Sequence, residues 1–364
     1  MQRRFNYYLI LLNMISNIMM FTPEILIRER FTGAVQGLIW AFPIGTFFIF
    51  MFTYLINDFQ GQSIIELMKN TLPVWLQKGI LVYFTVLFFI TGVLSISVFT
   101  FIMLTFMNQD TDVLLLTLML GGFVSVFSVM KSDKVLYFLE IILVLALPFL
   151  AFILYKTLVN PYLNWTSIIQ MATYVNRLPD YMTLSTATYI YSGYANMVIF
   201  NKCFTKKSDY KHIWVMGILG FLISVHTFFV PIGFNGTVSV GVYEFPWVIT
   251  ADSIRLSLGI IERLIYPFLL LYTMISLINS VIHLHVTTEL LKGVIPSPRL
   301  WKGKLKWVCP CFFLVAIFLF NSYSNDQQRL YLSVIWLMVR FPSEGILLLL
   351  LYWIKRRRRN AQKT

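Results

Sequence analysis

Asn13, Ser16 and Asn17 recur at three- and four-residue spacing inside an apolar run, so on a helix they share one face. Buried amides and hydroxyls in such a run must hydrogen-bond across helices or line a polar cavity, because leaving one unpaired costs roughly 2–7 kcal/mol. A second concentration lies at Tyr189-Ile190-Tyr191-Ser192-Gly193-Tyr194-Ala195-Asn196, a lone glycine among polar and aromatic neighbours. Unwinding of the backbone there would free N–H and C=O groups for a small polar solute. The competing reading is a glycine for close helix packing, with the tyrosines turned into the bundle. Depth in the sequence adds Phe101, and Tyr272 near Ser276, to the same expected cavity. The candidate ligand-binding set is therefore Asn13, Ser16, Asn17, Phe101, Tyr191, Ser192, Gly193, Tyr194, Tyr272 and Ser276.

Charges within the apolar runs are few. Glu24 follows Pro23, and Arg340 and Glu344 stand four residues apart. That spacing predicts a salt bridge, with a coupling or gating role as the alternative. His283 and His285 are two apart, so they point to different faces and are not a metal pair. Cys203, Cys309 and Cys311 imply no disulfide framework. The chain carries no nucleotide-binding loop, catalytic triad or paired-carboxylate site, so neither an enzyme nor a bound cofactor is expected.

The elements that must hold these residues follow from composition. The 364 residues are 58% hydrophobic and only 12% charged, against about 25% charged in a soluble domain. So few charges cannot coat a water-soluble surface of this size, which excludes a soluble enzyme, a secreted disulfide scaffold and a disordered chain. Apolar runs near the length of a bilayer crossing fall at 5–27, 35–57, 78–106, 112–130, 134–157, 181–203, 211–233, 257–287, 305–323 and 329–354. The expectation is an all-α integral membrane protein of ten transmembrane helices in a single domain spanning 1–364, with 355–364 as a basic tail. The first run is retained rather than cleaved, since it is too long for a signal-peptide core and lacks a small-residue cleavage site.

Of the 29 Lys and Arg, 21 fall at the N-terminus, on the even-numbered connections or in the tail, Arg3, Lys211 and Lys363 among them. This bias predicts both termini in the cytoplasm. The net charge of +13 thus reads as a cytoplasmic membrane face in contact with anionic lipid rather than as a nucleic-acid surface. Runs one and six start about 176 residues apart, and so do runs two and seven, which suggests five helices repeated once, about 5–157 and 181–354. An odd number of helices per repeat requires inversion across the membrane, the architecture of transporters whose helices 1 and 6 are broken. Between runs seven and eight, apolar residues interleave with Asp252, Arg255, Glu262 and Arg263, which predicts a short amphipathic helix at the outer interface, a lid or a simple connection.

Phe245-Pro246, with Glu262-Arg263 entering the eighth run sixteen residues later, resembles the B subunits of bacterial spore germinant receptors. These form the spore permease family of the amino acid–polyamine–organocation superfamily. The resemblance covers nearly the whole chain. Thr22-Pro23 ends the first helix, Ser63 to Leu67 opens the first long inner connection, and the sixth run leads into the basic stretch Lys202 to Lys211. Asn325-Asp326 precedes the last helix, and an Arg-rich tail closes the chain. The resemblance implies a ten-helix inverted repeat that binds a small nutrient such as an amino acid. It also implies a place in the inner spore membrane beside an A subunit and a lipoprotein C subunit. Two departures stand out: Ser16-Asn17 replaces a Gly-x-Gly-like break, and Tyr194-Ala195 follows the glycine where some members carry an acidic residue. Ligand identity and ion coupling therefore do not carry over. A sensing subunit, a working permease and a non-binding scaffold remain the readings to separate.

Overall fold

The computed structural model describes residues 4–18, 20–69, 71–106, 112–207, 210, 212–258 and 261–361; Arg3, Lys211 and Lys363 lie outside them. The first expected helix is two: α1 (Arg4–Asn17) and α2 (Phe21–Arg28), bent by 54°. Side chains stitch the break. Asn17 Nδ2 donates to the Asn13 carbonyl at 3.0 Å, and Thr22 Oγ1 donates to Asn17 Oδ1 at 2.9 Å. Pro23 sits in the first turn of α2, where its missing N–H leaves no bond unmade.

α3 (Ala34–Ile56), α4 (Ile64–Lys69), α5 (Val74–Phe106), α6 (Val113–Ser128), α7 (Ser132–Leu158) and a short α8 (Trp165–Ala172) follow. The sixth expected helix is divided. α9 (Tyr181–Thr188) passes into a 3-10 stretch over Tyr189–Asn196, then α10 (Met197–Phe200) and a last 3-10 turn, Asn201–Cys203. Then come α11 (Ile213–Asn235), α12 (Pro246–Ser253), a β1–β2 hairpin (Arg255–Leu258 and Ile261–Arg263), α13 (Ile265–Val294), α14 (Pro298–Lys302), α15 (Leu305–Tyr323) and α16 (Asp326–Ala361).

Seven described helices are long and apolar enough to cross a membrane, and the bent α1–α2 pair makes an eighth. α6, with 16 residues, is about 24 Å long, short of a bilayer core of about 30 Å, and the 181–203 run is cut into pieces. The protein is thus an all-α membrane protein whose outer faces carry bare apolar side chains such as Trp40, Phe47, Ile141, Val144, Trp307, Phe312 and Leu349. The most buried spans are α5 and α13, which pack side by side at Gly92 against Leu284.

Two regions depart from the sequence expectation. α12 is packed into the bundle rather than left with an open apolar face: Trp247, Val248, Thr250 and Ala251 are buried, and Trp247 Nε1 donates to the Thr227 carbonyl at 2.9 Å. The residues after it turn into the hairpin, so α13 starts at Ile265 rather than near 257. The start of the basic tail is tied to protein. Lys355 is buried and paired with Asp58 at 2.7 Å, Arg357 donates to the Thr71 carbonyl, and Arg358 donates to Gln62 Oε1 at 2.9 Å. We call the end holding α1's start and this tail proximal, and the end holding the hairpin distal.

Candidate solute-binding site

The 3-10 stretch meets α1 so closely that only a glycine fits. A Cβ on Gly193 would lie 2.4 Å from the Leu9 carbonyl oxygen and 2.7 Å from the Ile10 Cα. On the same contact Asn13 Nδ2 donates to the carbonyls of Tyr189 at 2.7 Å and Ile190 at 3.2 Å. A 3-10 coil hydrogen-bonds its own backbone poorly, so an amide from the neighbouring helix supports it where it is weakest. Tyr191 locks the opposite side: its ring fills the space that Cβ atoms on Gly45 and Gly220 would take, and its hydroxyl donates to the Gly217 carbonyl at 3.4 Å.

Arg340 of α16 reaches this stretch. Its Nη1 donates to Ser192 Oγ at 2.5 Å and Glu344 Oε1 at 2.8 Å, and its Nη2 donates to the Ser185 carbonyl and to Thr188 Oγ1 at 3.0 Å. Glu344 Oε2 accepts from Tyr194 OH at 2.9 Å. Both charges are buried, 5% exposed each, so each is held by its partner and by the broken segment together.

A cavity of about 50 Å³ lies between Asn13 of α1, the 3-10 stretch, Phe84, Phe88 and Thr91 of α5, His283 of α13, and Trp336, Arg340 and Glu344 of α16. Three buried polar atoms on its lining residues have no hydrogen-bond partner: Tyr189 OH, Asn196 Oδ1 and Arg340 Nε. Buried polar atoms are rarely left so, and three around one cavity mark a place for water or a small polar solute. His283 Nδ1–H donates to the Asn279 carbonyl at 2.8 Å, which fixes its tautomer. His285 bonds Ser132 and the Ser128 carbonyl instead, so the two histidines serve different neighbours.

The cavity does not stand alone. Thr91, Tyr189 and Trp336 also wall a void of about 20 Å³, which shares Phe21 with a distal vestibule of about 390 Å³. The edge-to-face pair Tyr189–Trp336, with ring centres 5.1 Å apart, and the Phe21 ring are the partitions in this row.

Of the residues singled out from sequence, Asn13 and Ser192 line the inner cavity, and Tyr194 holds its Glu344. Asn17 staples the α1–α2 break, and Ser16 Oγ donates to Met20 Sδ at 3.5 Å. Gly193 and Tyr191 are packing contacts. Phe101 lines the vestibule under the Arg329 guanidinium, 5.0 Å from its ring centre. Tyr272 packs edge-on to Phe99 at 5.2 Å and hydrogen-bonds Ser276, away from the cavities. Sequence reasoning left Tyr189, Asn196, Trp336 and His283 out of the set and placed Arg340 and Glu344 outside it. The legible signals were the charged pair in mid-helix and the 189–196 run that holds Tyr189 and Asn196; Trp336 carries no signal apart from the fold.

An all-α membrane bundle with a buried polar cavity in line with a vestibule at one end is the class that these features define. Residues 4–329 match the spore permease family, described as spore germination protein, and the chain belongs to that family. No curated protein matches it.

Proposed function

We propose that the chain is the solute-sensing membrane subunit of a spore germinant receptor, of the B-subunit type. Its ten apolar segments form a five-plus-five inverted repeat, interrupted near residues 18–20 and 189–196, with both termini cytoplasmic in the inner spore membrane. An A subunit, a lipoprotein C subunit and anionic lipid are its partners. The observation that carries the binding role is the three unpaired polar atoms around one buried cavity. A small nutrient, an amino acid or a solute of similar size, supplies their missing partners. Binding shifts the protein between arrangements only as far as the solute's affinity differs between them. The Arg340–Glu344 clamp, which ties α16 to the broken segment, is the contact such a shift must remake.

Tyr189→Phe tests this with little structural disturbance, because it removes one hydroxyl that bonds nothing here. Spores carrying the parent chain release dipicolinic acid in response to one class among amino acids, sugars and nucleosides. Spores carrying the variant keep the protein in the membrane and lose that response. An undiminished response overturns the proposed site and favours a scaffold role. The row of three cavities favours a second reading, a working permease, and uptake of the same nutrient into reconstituted vesicles distinguishes it.

A further inference from the structure

The distal vestibule has a chemistry of its own. Its walls bring Glu24 and Arg28 of α2, Glu244 of the connection before α12, and Asp326 and Arg329 of α16 around about 390 Å³, with the rings of Phe21, Phe101, Phe245 and Tyr331 between them. Three carboxylates face two guanidinium groups. Arg329 is spent: Nε donates to Ser324 Oγ at 2.9 Å, Nη1 to Asp326 at 3.4 Å, and Nη2 to the carbonyls of Asn321 and Ser324. Arg28 donates to Glu24 Oε1 at 2.8 Å. The spare capacity is on the accepting side. Glu24 is only 3% exposed and gives one oxygen to Arg28; among the described residues its second oxygen has no hydrogen-bond partner. Glu244 has no hydrogen bond or ion pair there either, and its side chain is open to the vestibule.

A nearly buried carboxylate whose second oxygen bonds no protein group and opens to the vestibule suits a donor that also brings positive charge. The aromatic walls suit a cation on an apolar body, through the ring faces and through burial of that body. We propose that the vestibule is a second binding site, separate from the inner cavity, for a protonated amine carrying a small apolar group. Glu24 and Glu244 hold the ammonium, and Phe101, Phe245 and Tyr331 hold the body. The site selects solutes by charge before any reaches Phe21, and it does not depend on what the inner cavity binds.

Three probes that share a ring and differ in charge test it on the full-length chain in lipid nanodiscs by titration calorimetry: benzylammonium, benzyl alcohol and benzoate. Benzylammonium is expected to bind at least about tenfold more tightly than the other two, the scale of a hydrogen bond to a charged group. Glu244→Gln, at an exposed position, is expected to remove most of that preference with the melting temperature unchanged. Glu24→Gln should do the same, but its loss also frees Arg28, so Glu244→Gln decides the matter if Glu24→Gln fails to accumulate. Equal binding of the three probes, a preference for benzoate, or no binding of any overturns the proposal. So does a preference that survives Glu244→Gln.

Discussion

The inner cavity and the distal vestibule lie on either side of one small void yet manage charge in opposite ways. Inside, one cation and one anion are both buried and cancel, and every strong donor of Arg340 but Nε is occupied. At the distal end the carboxylates outnumber the guanidinium groups and one of them stands open. The difference follows from depth. A net charge far from water is too costly to keep, whereas at the mouth solvent and counterions share the cost, so an excess of one sign can be used to select.

The sharpest way to break this comparison is to unbalance the inner pair. Arg340→Met leaves Glu344 buried and uncompensated, with an expected cost of about 3–5 kcal/mol. The protein should fail to accumulate in spore membranes, as read by immunoblot, while the double variant Arg340→Met/Glu344→Leu recovers accumulation without recovering the nutrient response. A single variant as abundant as the parent would mean that the pair is not dry.

Gly193→Ala comes next. Its Cβ would meet the α1 backbone, which cannot give way as a flexible side chain can, so a loss of about 1–3 kcal/mol is expected as a lower melting temperature in detergent. Asn13→Ala removes two hydrogen bonds from the 3-10 carbonyls and should cost about 1–2 kcal/mol. Here the nutrient dose–response should shift further than the melting temperature, because the bond supports the cavity wall.

The smallest structural effect belongs to Glu244, and there pH sharpens the contrast. Burial and the nearby Asp326 carboxylate push its pKa above the ordinary glutamate range, against the pull of Arg28; Glu24 and Arg329 also face it across the vestibule. A raised pKa means that it takes up its proton at a higher pH than a free glutamate. Benzylammonium binding should therefore fall as pH drops through that raised pKa, ahead of the ordinary range. Glu244→Gln should shrink this limb and change stability by no more than about 0.5 kcal/mol.

Much of the scaffold could be read from residues alone. Long apolar runs have one stable answer in lipid, a helix that satisfies its own backbone, so α3, α5, α7, α11 and α15 fall close to the expected ranges, while α13 starts later than expected and α16 runs on into the basic tail. Breaks in the first and sixth runs were expected from the repeat spacing, with the Ser192-Gly193 step as a local sign in the sixth; in the structure Asn17 and Thr22 hold the first break together. The segment between runs seven and eight was not legible: its alternation of apolar and charged residues suits an interface helix, yet contacts with α11 and α13 bury its helix and leave the rest to a hairpin.

Asn13, Asn196, Arg340 and Glu344 had to lie inside the bundle, since polar groups cannot face hydrocarbon unpaired; that much is set by composition and period. Which of them share a cavity, and that Gly193 spends its missing side chain on contact with α1 rather than on ligand, depends on how α1, the 3-10 stretch and α16 meet. Those contacts join residues more than 140 positions apart, and their partners are chosen by packing shape, for which a linear pattern holds no record.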